Sequence, residues 1–309
     1  MIGEDCAVGA QASDRSNERA LPWGADSEHG RLVDILVGPP DHFCWLPTSA
    51  ISRTTLDSGR IFEPAAAHAQ HAELIAAYQT AGVAVHRLEP DPALPYQVFA
   101  RDSSVATPWG PLVTQLAQPW RRGEYAPVIG FYRQAGVPVW RMIDTGSLEG
   151  GDVMIIEPGC LLIGAGQERT TIAAAEQLAE WFREADWEVR VEPIPPRYVH
   201  IDVLVAILAA KLAAVCSEAV SSSLLAWLRG KGFELIELAA ADAAVLGVNA
   251  VSLGADRVIS AAGATTLNAA LAARGIEVLA PNLEQFTLGG GGAHCLGQAL
   301  RREFVGAAR

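Results

Sequence analysis

The sequence predicts an α/β fold in which strand-strand-helix-strand modules close radially, with pseudo-fivefold symmetry, around a polar channel. Two observations predict it. Short apolar runs and segments of helical period follow one another in the same order about five times between residues 31 and 280. The doubled strand before each helix fits an ordinary doubly wound sheet poorly, and no Gly-x-Gly-x-x-Gly opens a helix after the first strand. The letters themselves do not repeat, so the periodicity is one of secondary-structure order alone.

Residues 1–30 are polar and rich in Ser, Asp and Glu, which reads as a mobile arm or a leader wrapping the domain. Residues 31–309 are expected to form a single domain, catalytic if the residues considered below meet. Arg31-Leu-Val-Asp-Ile-Leu-Val-Gly reads as its first strand, broken by Pro39-Pro-Asp-His-Phe-Cys-Trp-Leu-Pro. That loop brings Phe43 and Trp45 to a possible substrate mouth, a role for which Trp109 is also suited; core packing explains each of the three equally well.

A helix over 64–81 and a strand from Val83 complete the first module. Strands at 104–107 and 111–115, a helix at 123–135 and a strand at 137–142 make the next. Strands at 152–157 and 160–164, a helix at 170–185 and a strand at 187–193 follow. The stretch from His200 to Cys216 is alanine-rich enough for a helix, but its short Val/Ile/Leu runs and its place in the repeat select a hairpin. A helix at 221–230 and a strand at 233–238 close that module, and strands near 247–252 and 256–260, a helix at 264–274 and a strand at 276–280 form the last.

At 309 residues, half of them hydrophobic, the chain can bury one large core. A formal charge of -12 without a basic block argues against nucleic acid as a partner and suits a cationic small molecule. No apolar run is long enough to span a bilayer. Five cysteines without metal spacing read as reduced thiols, and together with the lack of a secretory leader they predict a cytoplasmic protein.

Chemistry concentrates at a few places. Gly289-Gly-Gly-Gly-Ala-His-Cys295 presents a thiol on a run of glycines, expected at the entrance of a terminal helix that includes Gln298-Ala-Leu-Arg-Arg and would favour thiolate. A flexible turn before a buried cysteine is the bland alternative. His200 and Asp202, two apart, share one face if the segment is extended. Leu148-Glu-Gly-Gly-Asp places Glu149 and Asp152 before a strand, where a buried carboxylate needs a partner. Glu149 is suited to orient His200 or meet a substrate, and Asp152 to fix a turn. Asp102 follows Arg101 at a strand edge, where Arg101 is suited to an ion pair, and Arg169 precedes a helix, where its planar fork suits a carboxylate. His294 is expected to point away from its neighbour's target. Zinc spacing is absent, and a metal is not expected.

In this order, Phe-x-Arg-Asp at 99–102, Leu-Glu-Gly-Gly-Asp at 148–152, Glu-Arg-Thr at 168–170, His-x-Asp at 200–202 and Gly-Gly-x-His-Cys at 291–295 resemble the guanidino-group modifying superfamily. Its members include arginine deiminase, dimethylarginine dimethylaminohydrolase and the amidinotransferases. The resemblance runs from Arg31 to the C-terminus and implies a five-bladed α/β propeller, or pentein. It implies Cys295 as nucleophile, His200 as general acid then base, Glu149 as its partner, Asp102 and Asp202 as guanidinium ligands, and Arg169 as contact for the amino-acid carboxylate. His-x-Asp is more similar to arginine deiminase, whereas the absence of a long helical insertion and of an arginine just before Cys295 departs from it. The implied reaction is hydrolysis of a guanidino C–N bond through an amidino-thioether, with no cofactor. Amidino transfer and a non-catalytic binding module of the same fold are the alternatives, and a homodimer is the expected assembly.

Overall fold

A computed structural model describes residues 23–306. The chain runs through β1 (Leu32–Val37), α1 (Ala50–Asp57), α2 (Pro64–Thr80), β2 (Ala84–Arg87), β3 (Ser104–Thr107), β4 (Gly110–Val113), α3 (Tyr125–Gln134) and β5 (Arg141–Met142). It continues through β6 (Val153–Glu157), β7 (Cys160–Ala165), α4 (Ile172–Arg183), β8 (Glu188–Pro193), β9 (Val205–Ala209), β10 (Leu212–Cys216), α5 (Ser222–Gly230), β11 (Glu234–Leu238) and α6 (Ala240–Ala244). The last elements are β12 (Val251–Gly254), β13 (Arg257–Ile259), α7 (Thr265–Ala272), β14 (Glu277–Leu279), α8 (Glu284–Thr287) and β15 (Gly297–Arg302). These strands form five separate three-stranded sheets, so the pseudo-fivefold pentein propeller is the observed fold.

Every blade is wired alike. In β3-β4-β5, β6-β7-β8, β9-β10-β11 and β12-β13-β14 the first pair is antiparallel and the second parallel. An antiparallel pair needs only a tight turn, whereas the parallel third strand needs a crossover, and α3, α4, α5 and α7 supply it. The hairpin expected between His200 and Cys216 is β9-β10, turned at Lys211 in the left-handed region with φ 60°.

The remaining blade is assembled from both ends of the chain, in the order β15-β1-β2. This corrects the terminal helix expected after Cys295. Gln298 and Ala299 pair with Leu36 and Ile35 of β1, so the segment closes the ring as a strand. Helical propensity in Gln298-Ala-Leu-Arg-Arg yields here to the edge of β1, whose unpaired backbone groups would otherwise be left open.

Residues 1–22 of the expected polar arm lie outside the described residues. Residues 25–28 are buried, and Glu28 reaches the interior, where Arg101 donates to it at 3.0 Å. Phe43 and Trp45 are likewise core residues, packed with Phe62, Phe99 and Phe286. Trp109 packs tilted on Trp140 and edge-to-face with Phe182 and Trp187. None of the three lines the central cavity. Phe43 instead buttresses the glycine run, since a Cβ at Gly289 would stand 2.8 Å from its ring.

The inner strands β3, β6, β9, β12 and β15 are each headed, one to three residues upstream, by Asp102, Asp152, Asp202, Asn249 and Cys295. All five side chains are buried. The pseudo-symmetry thus carries chemically different groups to equivalent places.

Candidate active site

Glu149, His200 and Asp102 come from the heads of three blades, yet ligand atoms of all three lie within 4.8 Å of one another. His200 Nε2 donates to Glu149 Oε2 at 2.8 Å, and its Nδ1 stands 3.7 Å from Asp102 Oδ1. Gly151 is required here because a Cβ at that position would meet the His200 ring at 2.6 Å; its N–H donates to Asp102 Oδ1. Burial alone would push the His200 pKa down, but the carboxylates of Asp102, Asp152 and Glu149 overcome it and raise it to about 10. Burial likewise opposes ionisation of Glu149, and Arg169 and His200 outweigh it, holding the carboxyl well below its usual range. The pair is therefore carboxylate and imidazolium at neutral pH.

His200 and Asp202 do not share a face. The backbone turns into a 3-10 helix at Ile201–Val203, held by Ile201 N–H donating to Asp152 Oδ1 at 2.8 Å, so the expected extended segment is interrupted. His200 consequently points to Glu149, while Asp202 Oδ2 lies 2.8 Å from His294 Nδ1 and 3.6 Å from Cys295 Sγ. Asp202 Oδ1 is buried and has no hydrogen-bond partner. Asp152 has the turn-fixing place expected of it, and Arg101 the ion pair, with Glu28.

Cys295 lies outside the tight Glu149-His200-Asp102 group but lines one cavity with His200, Asp102, Arg121, Arg169, Thr48 and Tyr96. With a strand after it instead of a helix, no helix N-terminus favours the thiolate. Burial, then the charges of Asp202 and Asp102, push its pKa well above that of a free thiol.

Two cations stand at the same wall. Arg169 donates to Glu149 Oε2 at 3.2 Å and to the Thr48 carbonyl at 2.9 Å. Arg121 was not foreseen: it donates to Asp102 Oδ2 at 2.7 Å and twice to Glu124, at 2.8 Å each. Nothing in Gln118-Pro-Trp-Arg-Arg distinguishes Arg121 from its neighbour Arg122; only burial does. Asn249 was missed for the same reason, an amide being chemically unremarkable until its neighbours are known. The three-residue group has ligands for a metal ion, but the Arg121 and Arg169 guanidinium groups already sit on Asp102 Oδ2 and Glu149 Oε2.

The family of eukaryotic N,N-dimethylarginine dimethylhydrolases matches residues 41–302. The chain belongs to that family, within the guanidino-group-modifying superfamily. It is 29% identical over 281 residues to the uncharacterized protein YkgA of Bacillus subtilis, across 89% of this chain and 94% of YkgA. It is 27% identical over 229 residues to the N(G),N(G)-dimethylarginine dimethylaminohydrolase of Mycobacterium tuberculosis, across 74% of each. A structure of the N-terminal domain of ArgZ, an arginine dihydrolase of the cyanobacterial ornithine-ammonia cycle, superposes with a TM-score of 0.76 at 22% identity, covering 87% of this chain and 98% of that one. That likeness speaks to the shared fold.

In this member of the superfamily, the resemblance read from five short motifs therefore holds at the level of family and fold; four of the motifs contribute residues to the cavity, and the fifth, 148–152, stands behind it, with Glu149 bonded to the lining residues His200 and Arg169.

Proposed function

We propose that the protein hydrolyses the guanidino C–N bond of arginine or a related guanidino compound through a Cys295 thioether. The products are a ureido compound and ammonia or an alkylamine. The observation carrying this reading is that Cys295, His200 and Asp102 line one cavity whose walls also hold Arg121 and Arg169. Carboxylates suit the guanidinium end of such a substrate, and the two arginines suit a carboxylate at the other.

An incoming guanidinium offsets the negative charge of Asp202 and Asp102, which otherwise keeps the thiol protonated, so substrate binding itself favours thiolate. The thiol proton passes to solvent. Planar pairing with Asp102 and Asp202 holds the guanidinium carbon toward sulfur, and C–S bond formation gives a tetrahedral adduct. The His200 imidazolium, steadied by Glu149, gives its proton to the departing nitrogen as the C–N bond breaks. Neutral His200 then takes a proton from water as the water oxygen attacks the same carbon. Collapse breaks the C–S bond and the hydroxyl proton of the adduct passes to the departing sulfur, releasing the ureido product and restoring the thiol. Each residue ends as it began, and the released amine takes up the proton lost at the start.

The same proposal has the protein act in the cytoplasm on a small cationic guanidine, as a homodimer and without a metal or organic cofactor. Among the described residues Cys44, Cys160, Cys216 and Cys295 are free thiols, which supports a reducing compartment, and no helix is long and apolar enough to cross a membrane. The test is mass spectrometry of products after incubation of the wild type and Cys295→Ala with L-arginine, methylated arginines, agmatine and other guanidino acids. A ureido product that requires Cys295 is expected. Folded wild-type protein that leaves the whole panel unchanged and forms no adduct would overturn the assignment.

A further inference from the structure

Asn249 heads β12 at the place where Asp102, Asp152 and Asp202 head β3, β6 and β9. Its side chain is buried beside the nucleophile loop. Asn249 Oδ1 accepts the N–H of His294 at 2.9 Å and, less closely, that of Cys295 at 3.4 Å. The same oxygen lies 3.6 Å from Cys295 Sγ, within reach of the S–H. At the other end of the amide, Nδ2 donates to the Asp202 carbonyl at 3.1 Å. One side chain thus ties together the heads of β9, β12 and β15. Gly292 makes the approach possible, since a Cβ there would stand 2.6 Å from Asn249 Oδ1.

We infer that Asn249 is a positioning residue for Cys295, fixing the 292–295 loop against Asp202 and setting an uncharged acceptor beside the sulfur. The inference deepens, and rests on, the reading of Cys295 as nucleophile. The chemistry selects an amide. The contacts call for an acceptor at one end and a donor at the other, which a carboxylate does not provide: its second oxygen would face the Asp202 carbonyl. A carboxylate would also add an anion to a thiol already bordered by Asp202, disfavouring thiolate further. An apolar side chain would leave the buried N–H of His294 without its partner.

The experiment measures iodoacetamide alkylation of Cys295 against pH in the full chain, resolved from the other cysteines by peptide mapping. Wild type, Asn249→Asp and Asn249→Ser are compared, with folding checked by circular dichroism. Asn249→Asp is expected to raise the apparent thiol pKa by at least about one unit, slowing alkylation about tenfold at a fixed pH below it. Asn249→Ser, which loses the amide without gaining charge, moves the midpoint upward by less and lowers kcat more than it changes KM. A loop merely loosened would alkylate faster at every pH with an unmoved midpoint. Either folded variant keeping the wild-type midpoint overturns the inference, and the serine variant decides alone if the aspartate does not fold. Alkylation needs no turnover, so absence of guanidine hydrolysis in the wild type would sink the proposed activity and leave this result standing.

Discussion

Glu149 Oε2 and His200 Nε2 meet at 2.8 Å across 51 residues of sequence, inside a buried group that also includes Asp102. The two residues sit at the heads of consecutive blades, and their contact exists only because those blades pack side by side.

That contact predicts a pH signature. His200 has a pKa raised to about 10 in the folded protein against an ordinary 6.5, so it is protonated throughout the neutral range. Its stabilising charge pairing is fully present below about pH 6.5 and fades as pH rises through about 10. Glu149→Gln removes one of the charges that raise it. The alkaline limb of kcat should therefore move to lower pH, and turnover should fall by about 10²- to 10⁴-fold. An unmoved alkaline limb in pH-rate measurements would contradict this assignment.

The thiol yields a second prediction. Because burial and the neighbouring carboxylates hold its pKa high, alkylation of ligand-free protein by iodoacetamide should still be rising at pH 9. A guanidinium ligand should shift thiolate formation toward neutral pH by offsetting those carboxylates. The comparison needs a ligand small enough to leave sulfur accessible, such as guanidinium ion itself. A rate that levels off below pH 8 without ligand would count against it.

Arg121 should matter to folding as well as to binding. Its guanidinium is buried between Asp102 and Glu124, whose charges raise the arginine pKa well above its usual value despite the cost of burial. Arg121→Ala leaves two buried carboxylates without that partner and should cost about 3–5 kcal/mol of stability, measured by urea unfolding. Loss of less than about 1 kcal/mol would mean that water reaches the pair.

Ring closure is testable by truncation. Removing 297–309 deletes β15 and exposes the edge of β1. The shortened chain should lose cooperative thermal unfolding and associate through that edge, read by calorimetry and size-exclusion chromatography. For scale, Phe182→Ala within the core of the α4 blade should cost about 3–5 kcal/mol while leaving the ring intact.

Much of this architecture is local in origin. The helix expected over 64–81 is α2, Pro64–Thr80, and the hairpin chosen over a helix after His200 is β9-β10, because apolar period and turn residues act over short range. The motif glycines were also readable: Gly151 and Gly292 stand where a side chain would strike His200 or Asn249. Where the reading failed, a distant partner had decided the outcome. Gln298-Ala-Leu-Arg-Arg became β15 because β1 offered it an edge, and the face shared by His200 and Asp202 was lost when Asp152 captured the amide of Ile201.

By itself, the sequence determined the order of modules, the family and the residue types that reach the centre, since each is written in contiguous motifs. The tertiary structure alone decided which of these groups touch, that Arg121 and Asn249 join them, and that the thiol rests protonated beside Asp202. The reason is physical. Contacts between blades depend on packing together segments 51 to 92 residues apart, and the charge state of a buried group depends on neighbours that only that packing supplies.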